Sequence, residues 1–236
     1  MKIIFSVLLI LSACIGGLYA ANPQVTLQIS GAVTGNIVLE LYADKAPVTT
    51  ANFINYVQSN FYKGLIFHRV MSGFMIQGGG FDQNVVQKTA GLLPAIINES
   101  RTGLSNLRGT IAMARTTAAD SATSQFFINQ VNNTFLDYGY VSGSSAVVGY
   151  TAFGKVIAGM SVVDAIAVLP TSTQNGMTDV PVNDVIIQNA TITLNSPVCA
   201  EKLQGDIDGN CSVNFADFAK MAENWLECNS VTTSCN

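Results

Sequence analysis

Apolar and polar residues alternate along Val25-Thr26-Leu27-Gln28-Ile29, break off across Gly31 to Gly35, and resume through Asn36-Ile37-Val38-Leu39-Glu40-Leu41. A period of two puts successive side chains on opposite faces of a strand, and two such runs around a glycine-bounded gap predict a hairpin. The period then changes. Lys45-Ala46-Pro47 sets a proline where a helix can start, and Ala51, Ile54 and Val57/Gln58 recur at helical spacing. Gly159 to Val168 predicts a second short helix with Met160, Val163, Ile166 and Ala167 on one face. Asp184 to Leu194 reads as a closing strand. Many short strands separated by glycine turns, with few helices, predict a mainly β fold, a closed barrel capped by helices. Periodicity does not determine the strand order.

Composition adds a class and an address. Of 236 residues, 49% are hydrophobic and 11% charged, enough for a sizeable core and too apolar for a disordered chain. A net charge of -4 argues against a nucleic-acid partner. At the N-terminus Lys2 precedes the apolar run Ile3 to Leu11, and small residues follow. Residues 1–20 are expected to be a secretory signal ending at Ala20. Leu11-Ser12-Ala13-Cys14 also resembles a lipoprotein processing box, with Cys14 the lipidated residue, and Ile3 to Ala21 is long enough for an uncleaved anchor. Each alternative predicts an exported protein, periplasmic or secreted, and the last two add a membrane attachment.

The cysteines agree with export. Besides Cys14, they are Cys199, Cys211, Cys228 and Cys235, all close to the C-terminus. An even, clustered set in an exported chain predicts two disulfides, with three pairings open. Zinc is the competing reading, but the tail has no C-x-x-C pair and no histidine. The same region is acidic, with Lys202 and Lys220 against Glu201, Asp206, Asp208, Asp217, Glu223 and Glu227. We therefore expect a main domain over 22–195, a linker over 196–204 and a small tail domain over 205–236.

The chemistry concentrates in the main domain. Phe67-His68-Arg69-Val70-Met71-Ser72-Gly73-Phe74-Met75-Ile76-Gln77-Gly78-Gly79-Gly80 holds a guanidinium, large apolar side chains, an amide and three glycines. Ile111-Ala112-Met113-Ala114-Arg115 and Ser124-Gln125-Phe126-Phe127-Ile128-Asn129 add a second cation, a second amide and more apolar surface. Neither segment offers an obvious nucleophile constellation. Gln83 leaves G-x-G-x-x-G incomplete, so the glycines do not form a nucleotide loop. His68, the sole histidine, invites a general-base role. In a strand, though, it faces away from Arg69, which favours a structural one.

These blocks resemble the cyclophilin family of peptidyl-prolyl isomerases. They are joined by Glu40 to Thr49, Asn52-Phe53, Arg108 to Arg115 and Phe153-Gly154-Lys155-Val156, in the family's order and spacing. The resemblance implies an eight-stranded antiparallel barrel with two helices and catalysis of cis–trans rotation about X-Pro bonds, without a cofactor. It implies catalytic roles for Arg69, Phe74 and Gln77. Phe74, Met75, Phe127 and Leu136 match the proline pocket, Gln77 and Gln125 the amides that hold the peptide backbone, and Ala114, Arg115 and Thr116 the rim for the residue before proline. Phe135 stands where many members carry tryptophan, and Tyr150 where many carry histidine. The implied partners are proline-containing polypeptides in export. The alternative is a non-catalytic proline-peptide binding or assembly module docked through its tail.

The tail has a pattern of its own. Asp206, Asp208, Asn210, Asn214 and Asp217 occupy calcium-loop positions 1, 3, 5, 9 and 12, with the carbonyl of Ser212 at position 7. Phe215, Phe218/Ala219, Ala222, Trp225 and Leu226 then share one face of an expected helix. This resembles a single dockerin type I repeat, which implies calcium and a protein partner. Cys211 replaces the usual loop glycine, and one repeat stands where two are usual.

Overall fold

The computed structural model describes residues 22–142 and 145–193. The expected signal segment, the linker and the calcium-type tail lie outside the described residues. The expected hairpin forms from β1 (Gln24–Gly31) and β2 (Gly35–Leu41), and α1 (Pro47–Gln58) follows. Next come β3 (Arg69–Met71), β4 (Met75–Gly78), β5 (Thr110–Met113) and β6 (Phe126–Asn129). The small pair β7 (Val141–Ser142) and β8 (Ser145–Ala146) precedes β9 (Ala152–Ala158) and α2 (Met160–Ala167). A hairpin of β10 (Thr171–Gln174) and β11 (Met177–Pro181) leads into β12 (Val185–Thr193).

Eight strands form one curled antiparallel sheet in the order β12-β1-β2-β9-β5-β6-β4-β3. The expected closed barrel is not formed, because the strand ladder stops at β12 on one edge and β3 on the other. Between these edges the backbone donors just before β3 are divided. The N–H groups of Gly64 and Phe67 donate to Ile187 and Val185 of β12, each at 2.9 Å, while the N–H of Ile66 donates to Phe81. Donors shared between β12 and the loop after β4 cannot continue a ladder into β3. The sheet is a half-barrel stitched along one seam.

The concave side is filled by apolar residues from both halves of the sheet and from the helices. Phe53 of α1 lies at its centre, with ring centroids 5.2 Å from Tyr62, 5.3 Å from Phe153 and 5.4 Å from Phe126 in an edge-on contact. Edge-to-face geometry suits ring quadrupoles and adds to the burial of large apolar area. Polar ends of the same helix tie down distant chain, since Asn52 Nδ2 donates to the carbonyl of Thr123 at 2.7 Å. The buried face of α1 is Thr49, Phe53, Tyr56 and Val57; Ala51 is exposed and Ile54 only half-buried. Of the residues read at helical spacing Val57 is buried, while Phe53 and Tyr56, which bury more area per residue, take the rest of the core face. In α2 the expected Val163, Ile166 and Ala167 are buried.

The N-terminus of α1 has no side-chain cap from Ala46. Its donors are taken by Glu99 instead, whose carboxylate accepts from Val48 N at 3.2 Å, Thr49 N at 2.8 Å and Thr49 Oγ1 at 2.7 Å. A carboxylate at a helix N-terminus satisfies orphan N–H groups and complements the helix dipole. Replacing Glu99 with Ala should lower the free energy of unfolding by about 1–2 kcal/mol. Urea denaturation measures this, and a change within error would show that water caps the helix equally well.

Candidate active site

The strands at the β3 end of the sheet are buried on both faces. Val70, Ile76, Ile111, Met113, Phe126 and Ile128 enter the main core. Their neighbours Met71, Met75, Ala112 and Phe127 turn to the opposite face and form a second cluster with Phe74, Leu136 and Tyr150. Strand alternation makes this division, because adjacent residues must face opposite ways. Ladder pairing aligns the result: Arg69 lies across from Gln77, and Gln77 across from Phe127.

On that outer face is a groove of about 540 Å³. It brings together Arg69, Phe74, Met75, Gln77, Ala114, Arg115, Gln125, Phe127, Leu136 and Tyr150, from segments between residues 69 and 150. Gln77 Nε2 donates to Gln125 Oε1 at 3.0 Å, which joins the two amides into one polar strip beside the apolar wall. The Arg69 guanidinium contacts the Met71 sulfur at 3.2 Å and the Asp179 carboxylate at 3.7 Å. Arg115 stacks over the Tyr150 ring at 4.4 Å and donates to the carbonyls of Thr116 and Val148. Two predicted residues lie outside the lining. Thr116 is exposed and its hydroxyl donates to Ser121 Oγ at 2.8 Å, and Phe135 stacks on Phe74 at 5.7 Å.

The glycine run has a steric reason. A Cβ on Gly79 would lie 2.9 Å from the Phe126 ring, and one on Gly80 would lie 2.5 Å from the Gln125 side chain. Gly79 also has φ +84°, which side chains other than glycine's rarely tolerate. These residues let the chain turn out of β4 without displacing the amide pair.

Two supports of the groove escaped the sequence reading. One is a buried amide network. Asn133 Nδ2 donates to Asn129 Oδ1 at 2.7 Å and to the Phe74 carbonyl at 3.0 Å, and Asn129 Nδ2 donates to Thr110 Oγ1 at 2.9 Å. Asn106 Nδ2 ties in Asp137 at 2.9 Å and the Tyr150 carbonyl at 3.2 Å. Tyr150 N in turn donates to Leu136 O at 2.9 Å, so the network fixes both ends of the long loop after Leu136. Isolated asparagines carry no periodic signal. The other support is the β10–β11 hairpin, which lends Gly176, Met177 and Thr178 to the lining. Its Asn175-Gly176 turn, with φ of +48° and +79°, is a strong local hairpin signal that could have located it.

His68 is buried and its ring packs 4.5 Å from Phe81 at the edge of the groove. Burial is the main cause that pushes its pKa from 6.5 down to about 4, so it stays neutral near pH 7. Among the described residues no group of three or more His, Cys, Asp or Glu could hold a metal ion.

With this geometry in place, the chain can be set beside known proteins. The family model for "Cyclophilin type peptidyl-prolyl cis-trans isomerase/CLD" matches residues 24–192. A peptidyl-prolyl cis-trans isomerase of Acinetobacter baylyi is 50% identical over 172 residues, covering 73% of this chain and 86% of the relative. Peptidyl-prolyl cis-trans isomerase B of Escherichia coli is 49% identical over 160 residues, covering 67% and 94%. A cyclophilin type isomerase of Cryptosporidium parvum, solved in the presence of the dipeptide Ala-Pro, has a TM-score of 0.57 at 24% identity, over 73% of this chain and 99% of that one. That likeness bears on the fold alone. The chain belongs to the cyclophilin-type peptidyl-prolyl cis-trans isomerase family, and it is an enzyme of that class.

The depressed His68 pKa has a thermodynamic consequence. Its folded value lies below the unfolded value of 6.5, so the unfolded chain binds this proton first as pH falls. The contribution is complete above pH 6.5 and is lost as pH drops toward about 4. We expect this residue to remove up to ~1.4 kcal/mol of stability per pH unit across that window. A His68→Gln variant should lack that component. Parallel stability–pH curves for the two proteins, from urea titrations, would refute it.

Proposed function

We propose that the chain catalyses rotation about X-Pro bonds of exported polypeptides and so assists their folding, with Arg69 stabilising the twisted transition state. The observation that carries this reading is one groove holding a partly exposed guanidinium beside an apolar pocket and a paired amide strip. Amide resonance sets a barrier of about 18–20 kcal/mol, which makes the uncatalysed step take tens to hundreds of seconds. As the bond twists, resonance is lost and the prolyl nitrogen becomes pyramidal, with a lone pair that can accept a hydrogen bond. A guanidinium donor directed there binds the twisted form more strongly than either planar form, and only such differential binding accelerates the step. Arg suits the task because it is always charged and carries five N–H donors.

The other residues hold what must not rotate. Phe74, Met75, Phe127 and Leu136 grip the proline ring. Gln77 and Gln125 bind the peptide backbone. Ala114 and Arg115 border the residue before proline, with Tyr150 at the same wall, and Phe135 backs Phe74. His68 is buried against Phe81, and a rotation about an amide bond gives it no proton to transfer. The exported setting rests on Lys2 and the apolar run after it, and the clustered cysteines accord with an oxidising compartment.

For the tail we propose a calcium loop in which Asp206, Asp208, Asn210, Ser212, Asn214 and Asp217 supply the oxygens, presenting a surface for a protein partner. The support is the ligand spacing, which places acidic or amide side chains at loop positions 1, 3, 5, 9 and 12 as calcium loops require. The metal would order the loop and takes no part in the rotation.

A protease-coupled prolyl-peptide assay tests the main reading. Arg69→Ala should reduce kcat/KM by about 10²–10³, the loss typical of removing one preorganised donor. Equal background rates in both proteins would leave only a binding module. Calorimetric titration of the full chain with calcium tests the tail. A binding heat and a rise in stability are expected, both lost in Asp206→Ala/Asp208→Ala, and the absence of both would remove the calcium site.

A further inference from the structure

We propose that Asp179 is a positioning residue that holds the Arg69 guanidinium in the groove, and that the β10–β11 hairpin is built to deliver it there. This rests on the reading of Arg69 as the catalytic cation. Three observations converge. First, the register of the hairpin slips. Ser172 pairs with Val180 and Gln174 with Met177, so Thr178 and Asp179 together face the single residue Thr173. This is a β-bulge, a device that re-aims a side chain and recurs beside active sites. Second, Asp179 has φ +62°, a left-handed conformation that glycine would adopt without strain. Asp is among the few side chains that enter this region, at a backbone cost that glycine would not carry. Third, its Oδ2 lies 3.7 Å from Arg69 Nε.

The anchoring of the hairpin explains how the carboxylate is aimed. Val180 is fully buried against Ile66 and Val85, and Asn175 Nδ2 donates to the Val85 carbonyl at 3.3 Å. Gln174 Nε2 donates to Pro181 O at 2.8 Å and closes the base. Thr178 Oγ1 lies 3.2 Å from Asp179 Oδ2 and steadies the carboxylate. Among the described residues the other contact of the guanidinium is the Met71 sulfur, a weak acceptor. With the Nε side facing Asp179 and Nη2 resting only on the weak Met71 acceptor, the terminal nitrogens can turn to the twisted peptide bond. The two side chains are 40% and 35% exposed, and an ion pair this exposed adds little stability. Its effect should therefore appear in the rate rather than in the fold.

Asp179→Asn tests this, because Asn tolerates the left-handed conformation and keeps the shape while losing the charge. Asp179→Gly removes the side chain and relieves the backbone. Both should lower kcat on an X-Pro peptide about tenfold, less than the hundredfold a 1 Å misplacement can cost, with KM within about twofold and the melting temperature unchanged or raised. In the substrate-free protein, the Arg69 Nε–H resonance, assigned by its loss in Arg69→Lys, should shift and broaden in both variants. A kcat equal to or above wild type, an unmoved Arg69 resonance, or a rate loss matched by lost thermal stability overturns the proposal. If the wild type itself fails to turn over the peptide, the isomerase reading falls, and the resonance still decides whether Asp179 positions Arg69.

Discussion

The strands β4, β5 and β6 are asked to fill two apolar environments at once, and the rest of the molecule depends on that demand. Ile76, Phe126 and Ile128 complete the core, while Met75 and Phe127, with Ala112 in their cluster, build the groove. A register slip of one residue would exchange the two sets, sending Phe127 into the core and Phe126 into the groove. Both faces being apolar, hydrophobicity alone would not resist such a slip. The aromatic contacts around Phe53 do, since Phe126 fits edge-on between Phe53 and Tyr62 and a neighbour could not reproduce that packing.

This coupling makes the site a consequence of the core. Tyr62 Oη donates to the Ser124 carbonyl at 2.9 Å and Asn52 Nδ2 holds Thr123, so α1 and its following turn fix the chain just before Gln125. Gly79 and Gly80 give β4 the close approach that keeps Gln125 beside Gln77. Hydrogen bonds and close packing thus hold the groove where it must grip. A rotation catalyst needs this, because its whole effect lies in favouring one twisted geometry, and a mobile pocket would bind planar and twisted forms alike.

Much of this was legible before any coordinates. The β1–β2 hairpin, both helices and the final strand follow from period and turn chemistry, which act within a few residues. The groove side chains, from Arg69 to Tyr150, were named through resemblance rather than periodicity, since a pattern of two distinguishes faces but cannot say which face is a site. Of the helically spaced Ala51, Ile54 and Val57, only Val57 is buried, because period alone fits that set to a helix as well as it fits Thr49, Phe53 and Tyr56. The choice between them is made by the cavity that Phe53 fills. Closure of the barrel was also over-read, as no local signal reports that the backbone before β3 divides its donors between β12 and Phe81.

By itself the sequence determined the local elements, the family, and the residue types able to do this chemistry, because spacing and side-chain identity are properties of short segments. Tertiary structure alone decided the partly stitched seam of the sheet, the Asn106–Asn129–Asn133 network and the meeting of Asp179 with Arg69. Each of these depends on an encounter between segments far apart in the chain. Such encounters are set by how the core packs and by which buried polar groups must find partners, and no single segment encodes them.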